Sequence, residues 1–250
     1  MKVLFIADSS CVHTRRRLEI LKDTPGLELC LLTDSESRIN GIEQYKLKSK
    51  IKIPGLRFIS KFFFIRDIIS EVSPNLVHVI SAHPLNLLVS FTGFKPLVIS
   101  CWGGDVLRAQ GARKNLIYDY IFRHAMRNAS KILCVSQEIW QEVDAVSPGK
   151  SILQAFGVDL RIFFKRQNLL EIKRKNSIPA DHKVIFSPRG LGRIYNINRI
   201  LSSFARLENQ AKDYVLILNS TLRAEGDEER LSEIKSLVEK LKIGNSVLFK

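Results

Sequence analysis

The chain has 250 residues, of which 45% are hydrophobic and 26% charged, so its composition excludes a disordered or fibrous protein. Its 39 Lys and Arg against 25 Asp and Glu give a net charge of +14, which predicts attraction to nucleic acid, an anionic membrane surface or a phosphorylated substrate. No apolar run approaches the roughly 18 residues of a membrane-spanning helix, and the first run is too short for a signal peptide. We therefore expect a cytoplasmic protein whose membrane contact, if any, is peripheral and on the inner face.

The four cysteines are far apart in the sequence and form no C-x-x-C motif. Three of them lie in apolar, strand-like runs, where a buried thiol behaves as a small hydrophobic group. This pattern favours a reducing compartment. The residues concerned are Cys11, Cys30, Cys101 and Cys134.

Apolar runs of strand length alternate with helical segments along the whole chain. The hydrophobicity of these runs is continuous rather than alternating, which indicates strands covered on both faces and hence parallel sheets with helical crossovers. The sequence therefore predicts a doubly wound α/β fold. Its strands are predicted at residues 3–7, 29–33, 76–80, 97–101, 132–135, 184–187, 215–219 and 247–249. Its helices are predicted at residues 14–23, 56–72, 114–128, 136–144, 197–208 and 225–241.

A basic stretch that breaks this rhythm divides the chain into two predicted domains. Residues 1–165 form a first Rossmann-like domain, residues 166–181 a connector, and residues 182–250 a second domain. The second domain has only three predicted strands, whereas a doubly wound nucleotide-binding unit usually has five or six. We therefore expect an incomplete second domain, either a truncation or a half that a partner chain completes.

Residues 46–66 combine seven cations with four phenylalanines and contain no acid. On a helix from Leu56, a core stripe accounts for some of the aromatic side chains but leaves Phe63 and Phe64 partly outside it. Spare aromatics beside a basic patch are typical of contact with an anionic bilayer, although an amphipathic helix with a solvated basic face has the same pattern. The cations are Lys46, Lys48, Lys50, Lys52, Arg57, Lys61 and Arg66. The predicted core stripe is Phe58, Phe62, Ile65, Ile69 and Val72.

Polar residues follow three of the predicted strands in the first domain. His13 follows the first strand, His83 the strand at 76–80, and Asp105 the strand at 97–101. The carboxyl ends of parallel strands meet at one edge of the sheet, so these side chains are expected to converge on one crevice. His13 also fits a simpler interpretation as part of a helix cap, and His78 lies within a strand and is expected in the core. The histidines lack metal-ligand spacing, so no metal site is predicted.

The strand at 184–187 ends in a Pro/Gly turn that carries Arg189 and Arg193 and opens a helix. A helix N-terminus has unpaired N–H donors and partial positive charge, so such a turn suits a diphosphate. Many α/β proteins have a similar turn that binds nothing. The turn alone leaves both interpretations open.

Five segments together resemble the successive signatures of retaining GT-B glycosyltransferases of family four. The resemblance covers nearly the whole chain and implies two Rossmann-like domains, of which the first holds the acceptor and the second binds a nucleotide-diphosphate sugar. It also implies transfer with retention, without a metal and without a cofactor. The segments read PNLVHVISAHP, PLVISCWGGDV, ASKILCVSQEIWQEV, ILQAFGVDLRIFF and VIFSPRGLGRIYNINRILSSFARL.

The strand-end positions and the resemblance together give candidate roles for individual residues. The strand ends make His83, Asp105 and His13 the catalytic candidates, with Trp102, Gly103 and Gly104 on the acceptor side. Donor-binding roles fall to Arg189, Gly190, Arg193 and Tyr195, and hinge roles to Gly157 and Asp159.

The chain departs from the family pattern at three places. Trp102 stands where many members have a histidine, Phe156 replaces an asparagine, and Tyr195 replaces a phosphate-binding lysine. The paired glutamates that would hold the nucleotide ribose and the sugar lie beyond Lys250, so an isolated chain is expected to bind donor poorly.

The sequence thus predicts a glycosyltransferase for a polysaccharide or lipid-linked acceptor, with a role in cell-envelope glycan biosynthesis. The alternative is a non-catalytic relative or a subunit that needs a partner chain. Nucleic acid is not an expected partner, because no nucleic-acid-binding motif accompanies the positive charge.

Overall fold

The computed structural model describes residues 1–47, 54–107, 115–165, 168–221 and 226–250. The chain divides into two compact units, Met1–Val158 and Asp159–Lys250. The sequence placed the end of the first domain at residue 165.

The first unit contains a seven-stranded sheet in the order β3-β2-β1-β4-β5-β6-β7, and every neighbouring pair of strands is parallel. The doubly wound α/β prediction is confirmed. β3 and β7 are short strands at the two edges and lack a long apolar run, which is why hydrophobicity did not reveal them. The strands are β1 (Lys2–Ile6), β2 (Glu28–Thr33), β3 (Glu43–Lys46), β4 (Leu76–Ile80), β5 (Leu97–Cys101), β6 (Lys131–Cys134) and β7 (Ser151–Leu153).

Helices cover both faces of this sheet because alternate residues of each buried strand point to opposite sides. In β1, Leu4 and Ile6 belong to one buried cluster, whereas Val3 and Phe5 belong to another that includes Leu18 of the first helix. The helices of this unit are α1 (Val12–Leu21), α2 (Pro54–Val72), α3 (Pro84–Leu87), α4 (Leu116–Asn128) and α5 (Gln137–Asp144). None of the helices in the described ranges is both long enough and apolar enough to cross a bilayer.

The second unit contains a three-stranded parallel sheet in the order β10-β9-β8. Its core is one apolar cluster, to which both longer helices and the strands β9 and β10 contribute. A short helix, α6, lies within the segment predicted as a connector. The elements are α6 (Leu169–Lys175), β8 (Lys183–Ser187), α7 (Ile197–Gln210), β9 (Tyr214–Leu218), α8 (Asp227–Lys240) and β10 (Val247–Phe249).

Helix α2 differs from its prediction at two positions. Lys61, expected to be a surface cation, is 1% exposed and forms an ion pair with Asp34, so its place in a basic surface patch was wrong. Phe64, expected to lie partly outside the core, is partly buried and packs against it. Three further cations of the predicted patch, Lys48, Lys50 and Lys52, lie outside the described residues.

Candidate functional site at the carboxyl edge of the first sheet

The loops that follow β1, β2, β4 and β5 enclose a cavity of about 310 Å³ at the carboxyl edge of the sheet. Its polar lining includes Asp8, Asp34, His83 and Asn86, and the indole of Trp102 contributes an aromatic wall. The topology explains this convergence, because parallel strands all end at the same edge. Two carboxylates, an imidazole, an amide and an aromatic ring therefore share one depression.

Hydrogen bonds fix the loop after β1 at the rim of the cavity. The Asp8 carboxylate accepts from the Ser10 N–H at 2.8 Å and from the Ser10 hydroxyl at 2.6 Å. The buried Ser9 hydroxyl donates to the Ser37 carbonyl at 2.6 Å, and its backbone N–H donates to the Thr33 hydroxyl at 3.1 Å. The loop after β1 is thus tied to the end of β2.

Asp105 holds two of the loops together. Its carboxylate accepts the backbone N–H groups of Ala82 at 2.6 Å, Gly103 at 2.7 Å and Trp102 at 3.0 Å, and the Ser81 hydroxyl donates to it at 3.2 Å. These donors come from the loops after β4 and β5. The carboxylate therefore positions the loops that line the cavity, and a catalytic role for Asp105 stays a prediction.

Gly103 requires the conformational freedom of glycine. Its φ is +142°, a region that side chains rarely adopt. Its carbonyl accepts the N–H groups of Val106 and Leu107, both at 2.8 Å, which turns the chain sharply after β5. Gly104, the next residue, is exposed. The glycine pair thus builds the turn that presents Trp102.

His13 belongs to an aromatic group at the same edge. Its ring stacks on Phe156 with centroids 4.9 Å apart and meets Trp102 edge-on at 5.5 Å, while Trp102 and Phe156 lie 5.6 Å apart. The structure therefore brings His13 and Trp102 into one aromatic group beside the cavity that His83 lines. It also gives Phe156 a packing role where the family pattern has an asparagine.

His83 lies at the N-terminus of α3 and lines the cavity. Desolvation of its ring lowers its pKa; the Asp34 carboxylate opposes this shift, and the Lys61 charge adds to it. The imidazole is therefore neutral at pH 7. A neutral ring nitrogen at this position can accept a hydrogen bond from a hydroxyl.

Several residues of this site were not predicted, and among them Asp34 and Lys61 left a signal in the sequence. Asp34 directly follows β2, so it lies at the same carboxyl edge as the residues that were predicted. Lys61 lies three residues after Phe58 and four before Ile65, which is the spacing of the buried face of α2. The position of Asp34 after β2 and the spacing of Lys61 on α2 could both be read from the sequence. A buried position was not expected for Lys61 because its side chain is charged.

In the second unit, the predicted donor-binding turn lies between β8 and α7. The Arg189 guanidinium lies over the Tyr195 ring, 5.6 Å from its centroid, and a side-chain carbon at Gly190 would lie 3.7 Å from that ring. Arg193 forms an exposed ion pair with Glu233 at 3.3 Å. Among the described residues, Arg189 has no acidic partner and carries the uncompensated charge of the turn.

The predicted hinge residues flank the division between the two units. Gly157 is the next-to-last residue of the first unit, and Asp159 is the first residue of the second unit. The Asp159 carboxylate accepts the Arg161 backbone N–H and pairs with its guanidinium, both at 2.9 Å. Within the ranges that the structure describes, no group of three or more His, Cys, Asp or Glu side chains could hold a metal ion.

Comparison of the sequence with models of known protein families identifies one family. The model of the family described as glycosyl transferase 4-like matches residues 2–136. No curated protein sequence matches the chain.

Solved structures resemble the chain along its whole length. A glycosyltransferase from Rickettsia africae has 14% identity and a TM-score of 0.73, and the match covers 100% of this chain and 67% of that one. HepE from Anabaena, crystallised with UDP and glucose, has 14% identity and a TM-score of 0.75, with 100% and 68% covered. WaaG, a glycosyltransferase involved in lipopolysaccharide biosynthesis, has 14% identity and a TM-score of 0.61, with 99% and 69% covered. At these identities the likeness concerns the fold, which is GT-B, and the family model shows that the chain belongs to the glycosyl transferase 4-like family.

Proposed function

We propose that this protein transfers a sugar from a nucleotide-diphosphate sugar to a hydroxyl of a polysaccharide or lipid-linked acceptor, with retention and without metal or cofactor. The observation that carries the proposal is the family match over the first unit, in which the strand ends form a cavity with sugar-binding chemistry. HepE, a structural neighbour, was crystallised with UDP and glucose, which supports a nucleotide-sugar donor. WaaG is involved in lipopolysaccharide biosynthesis, which supports an acceptor of the cell envelope.

The proposed reaction requires charge stabilisation on the donor. The bond between the anomeric carbon and the diphosphate oxygen breaks, a bond to the acceptor oxygen forms, and the hydroxyl proton passes to the departing diphosphate. Negative charge grows on the diphosphate in the transition state, so cations and N–H donors that face it lower the barrier. Arg189 and the N-terminus of α7 supply both in the second unit. In the first unit, neutral His83 accepts a hydrogen bond from an acceptor hydroxyl.

Substitution of Arg189 tests the donor site. We expect Arg189→Ala to weaken UDP binding, measured by calorimetry, by about 1.5–3 kcal/mol, because a charge-assisted contact to phosphate is lost. Arg189→Lys should lose less of the free energy of UDP binding, because lysine keeps the positive charge. Arg206→Ala removes the same charge at an exposed position of α7, outside the turn, and should bind UDP as the wild type does. Equal UDP affinity of Arg189→Ala and the wild type would contradict the phosphate role.

The second candidate is a non-catalytic subunit whose second domain is completed by another chain. The specific observation in its favour is β8, an edge strand on which Val184, Ile185 and Phe186 are 40%, 37% and 59% exposed. An exposed apolar edge strand is suited to pairing with a further strand. Release of UDP from a UDP-sugar by the purified chain, measured with and without acceptor, separates the candidates. Turnover would exclude the non-catalytic subunit.

Membrane contact through residues 46–66 is a further part of the proposal. On α2, Leu56, Ile59 and Phe63 are 48%, 54% and 46% exposed and lie three and four residues apart, so they share one helical face. The Arg66 guanidinium lies 5.2 Å from the Phe63 ring centroid, so this face joins apolar side chains to a cation. Such a face suits the headgroup region of an anionic membrane.

A further inference from the structure

A lysine is buried beneath the cavity of the first sheet. The side chain of Lys61 is 2% exposed, and its Nζ lies 3.8 Å from Oδ2 of Asp34. The Asp34 side chain is 55% exposed and lines the cavity. Burial of an ammonium group is costly unless a counter-charge compensates it. The fold thus keeps a positive charge behind a carboxylate that faces open space.

The lining of this cavity has the chemistry of a sugar site. Asp8, Asp34 and the Asn86 side-chain oxygen can accept hydrogen bonds from hydroxyls, and Trp102 offers an indole surface. The indole Nε1 is buried and has no hydrogen-bond partner among the described residues. The volume of about 310 Å³ is at the lower end of the range of about 300–1,000 Å³ typical of small-molecule pockets. The cavity therefore suits a small, hydroxyl-rich ring.

The electrostatics of the cavity favour an uncharged ring. Asp8 and Asp34 both present carboxylates, and the charge of Lys61 lies buried behind Asp34. An acidic sugar would bring a third carboxylate towards these two, and like charges at close range repel. A neutral sugar instead donates its hydroxyl protons to them.

We propose that Asp34 is the carboxylate that recognises the acceptor sugar, that Lys61 is a positioning residue which holds it, and that this sugar is uncharged. The proposal rests on the proposed function and deepens it. Asp34 accepts hydrogen bonds from two hydroxyls of the ring. Lys61 keeps the carboxylate in place when a ligand covers the cavity and excludes water.

Titration of the ¹⁵N-labelled chain with methyl glycosides tests this proposal without donor or turnover. The probes are the methyl glycosides of glucose, galactose, mannose and N-acetylglucosamine, with methyl glucuronide as the acidic counterpart. The chain has two tryptophans, so Trp102→Phe assigns the two indole N–H signals. We expect at least one neutral glycoside to shift the Trp102 signal and methyl glucuronide to leave it unmoved.

Two variants separate recognition from folding. We expect Asp34→Asn to weaken binding of that glycoside at least tenfold, and Lys61→Met to weaken it similarly, with partial recovery in Lys61→Arg. Asp34 is largely exposed, so Asp34→Asn keeps the test valid even if Lys61→Met does not fold. The matched control is Asp67→Asn, an exposed carboxylate on α2. If the chain turns over a donor, Asp34→Asn should raise the acceptor KM more than it lowers kcat.

Three results would overturn the proposal: no shift with any neutral glycoside, equal binding by Asp34→Asn and the wild type, or preferred binding of methyl glucuronide. Failure of the proposed function gives a different result. If the Trp102 shift occurs but neither UDP binding nor UDP release is detected, the sugar site stands and the transferase function does not.

Discussion

The Asp105 carboxylate is predicted to contribute more to stability than other loop carboxylates, and Asp105→Asn tests this. Each carboxylate oxygen accepts hydrogen bonds from at least two groups: Oδ1 from Trp102 and Gly103, and Oδ2 from Ala82 and Ser81. The amide of asparagine replaces one oxygen with an NH₂ group, which cannot accept. In either orientation at least two of these hydrogen bonds are lost, although the Trp102 N–H also lies 3.3 Å from Oδ2.

The expected decrease in the free energy of unfolding follows from the number of hydrogen bonds that are broken. A hydrogen bond to a charged group contributes about 1.5–3 kcal/mol, and two are lost. Asp105 is partly exposed, so water replaces some of this energy, and we expect the lower end, about 3 kcal/mol. Urea unfolding followed by circular dichroism measures the change. Loosening of the loops should also weaken the glycoside-induced shift of the Trp102 signal.

Asp144→Asn is the matched control for Asp105→Asn. Asp144 accepts one backbone N–H, that of Gly149 at 3.0 Å, in an exposed turn. We expect Asp144→Asn to lower the free energy of unfolding by about 1 kcal/mol or less. If Asp105→Asn costs no more than this control, the loops are not held by Asp105 and the reasoning is wrong.

Two further predictions concern pH and membranes. Burial and the charge of Arg17 lower the His78 pKa from 6.5 to about 3, so its contribution to stability is complete above pH 6.5 and is lost as the pH falls towards 3. Between pH 7 and pH 5 the loss is about 2 kcal/mol, and urea unfolding should show it in the wild type and in His182→Gln. The loss should be clearly smaller in His78→Gln, where only the lowered pKa of His83 still contributes in this pH range. The chain should sediment with anionic rather than neutral liposomes, less so at higher salt, and Phe63→Glu should reduce this more than Tyr120→Glu, which alters another exposed aromatic residue. Equal sedimentation with both liposomes would contradict membrane contact through α2.

The main strands were predictable because parallel strands buried on both faces are continuous apolar runs. β3 was not, since it is an edge strand with the polar sequence EQYK, and it contains no fully buried residue. Helix α6 was hidden for a similar reason, because its sequence LLEIKRK buries no residue. Elements that lie at the edge or on the surface leave little hydrophobic pattern to read.

The site was predictable as a location rather than as a set of roles. Parallel topology puts every strand end at one edge, so Asp105 and Asp34 were equally placed to act there. Their roles differ because of hydrogen-bond donors that only the folded loops supply. Four donors surround the Asp105 carboxylate, which is thereby committed to structure, whereas Asp34 is held from behind by Lys61 and stays 55% exposed. The Asp105 oxygens already accept hydrogen bonds from the backbone, so they cannot bind the hydroxyls of a sugar unless those bonds break. The oxygens of Asp34 are accessible and are therefore the ones suited to a ligand.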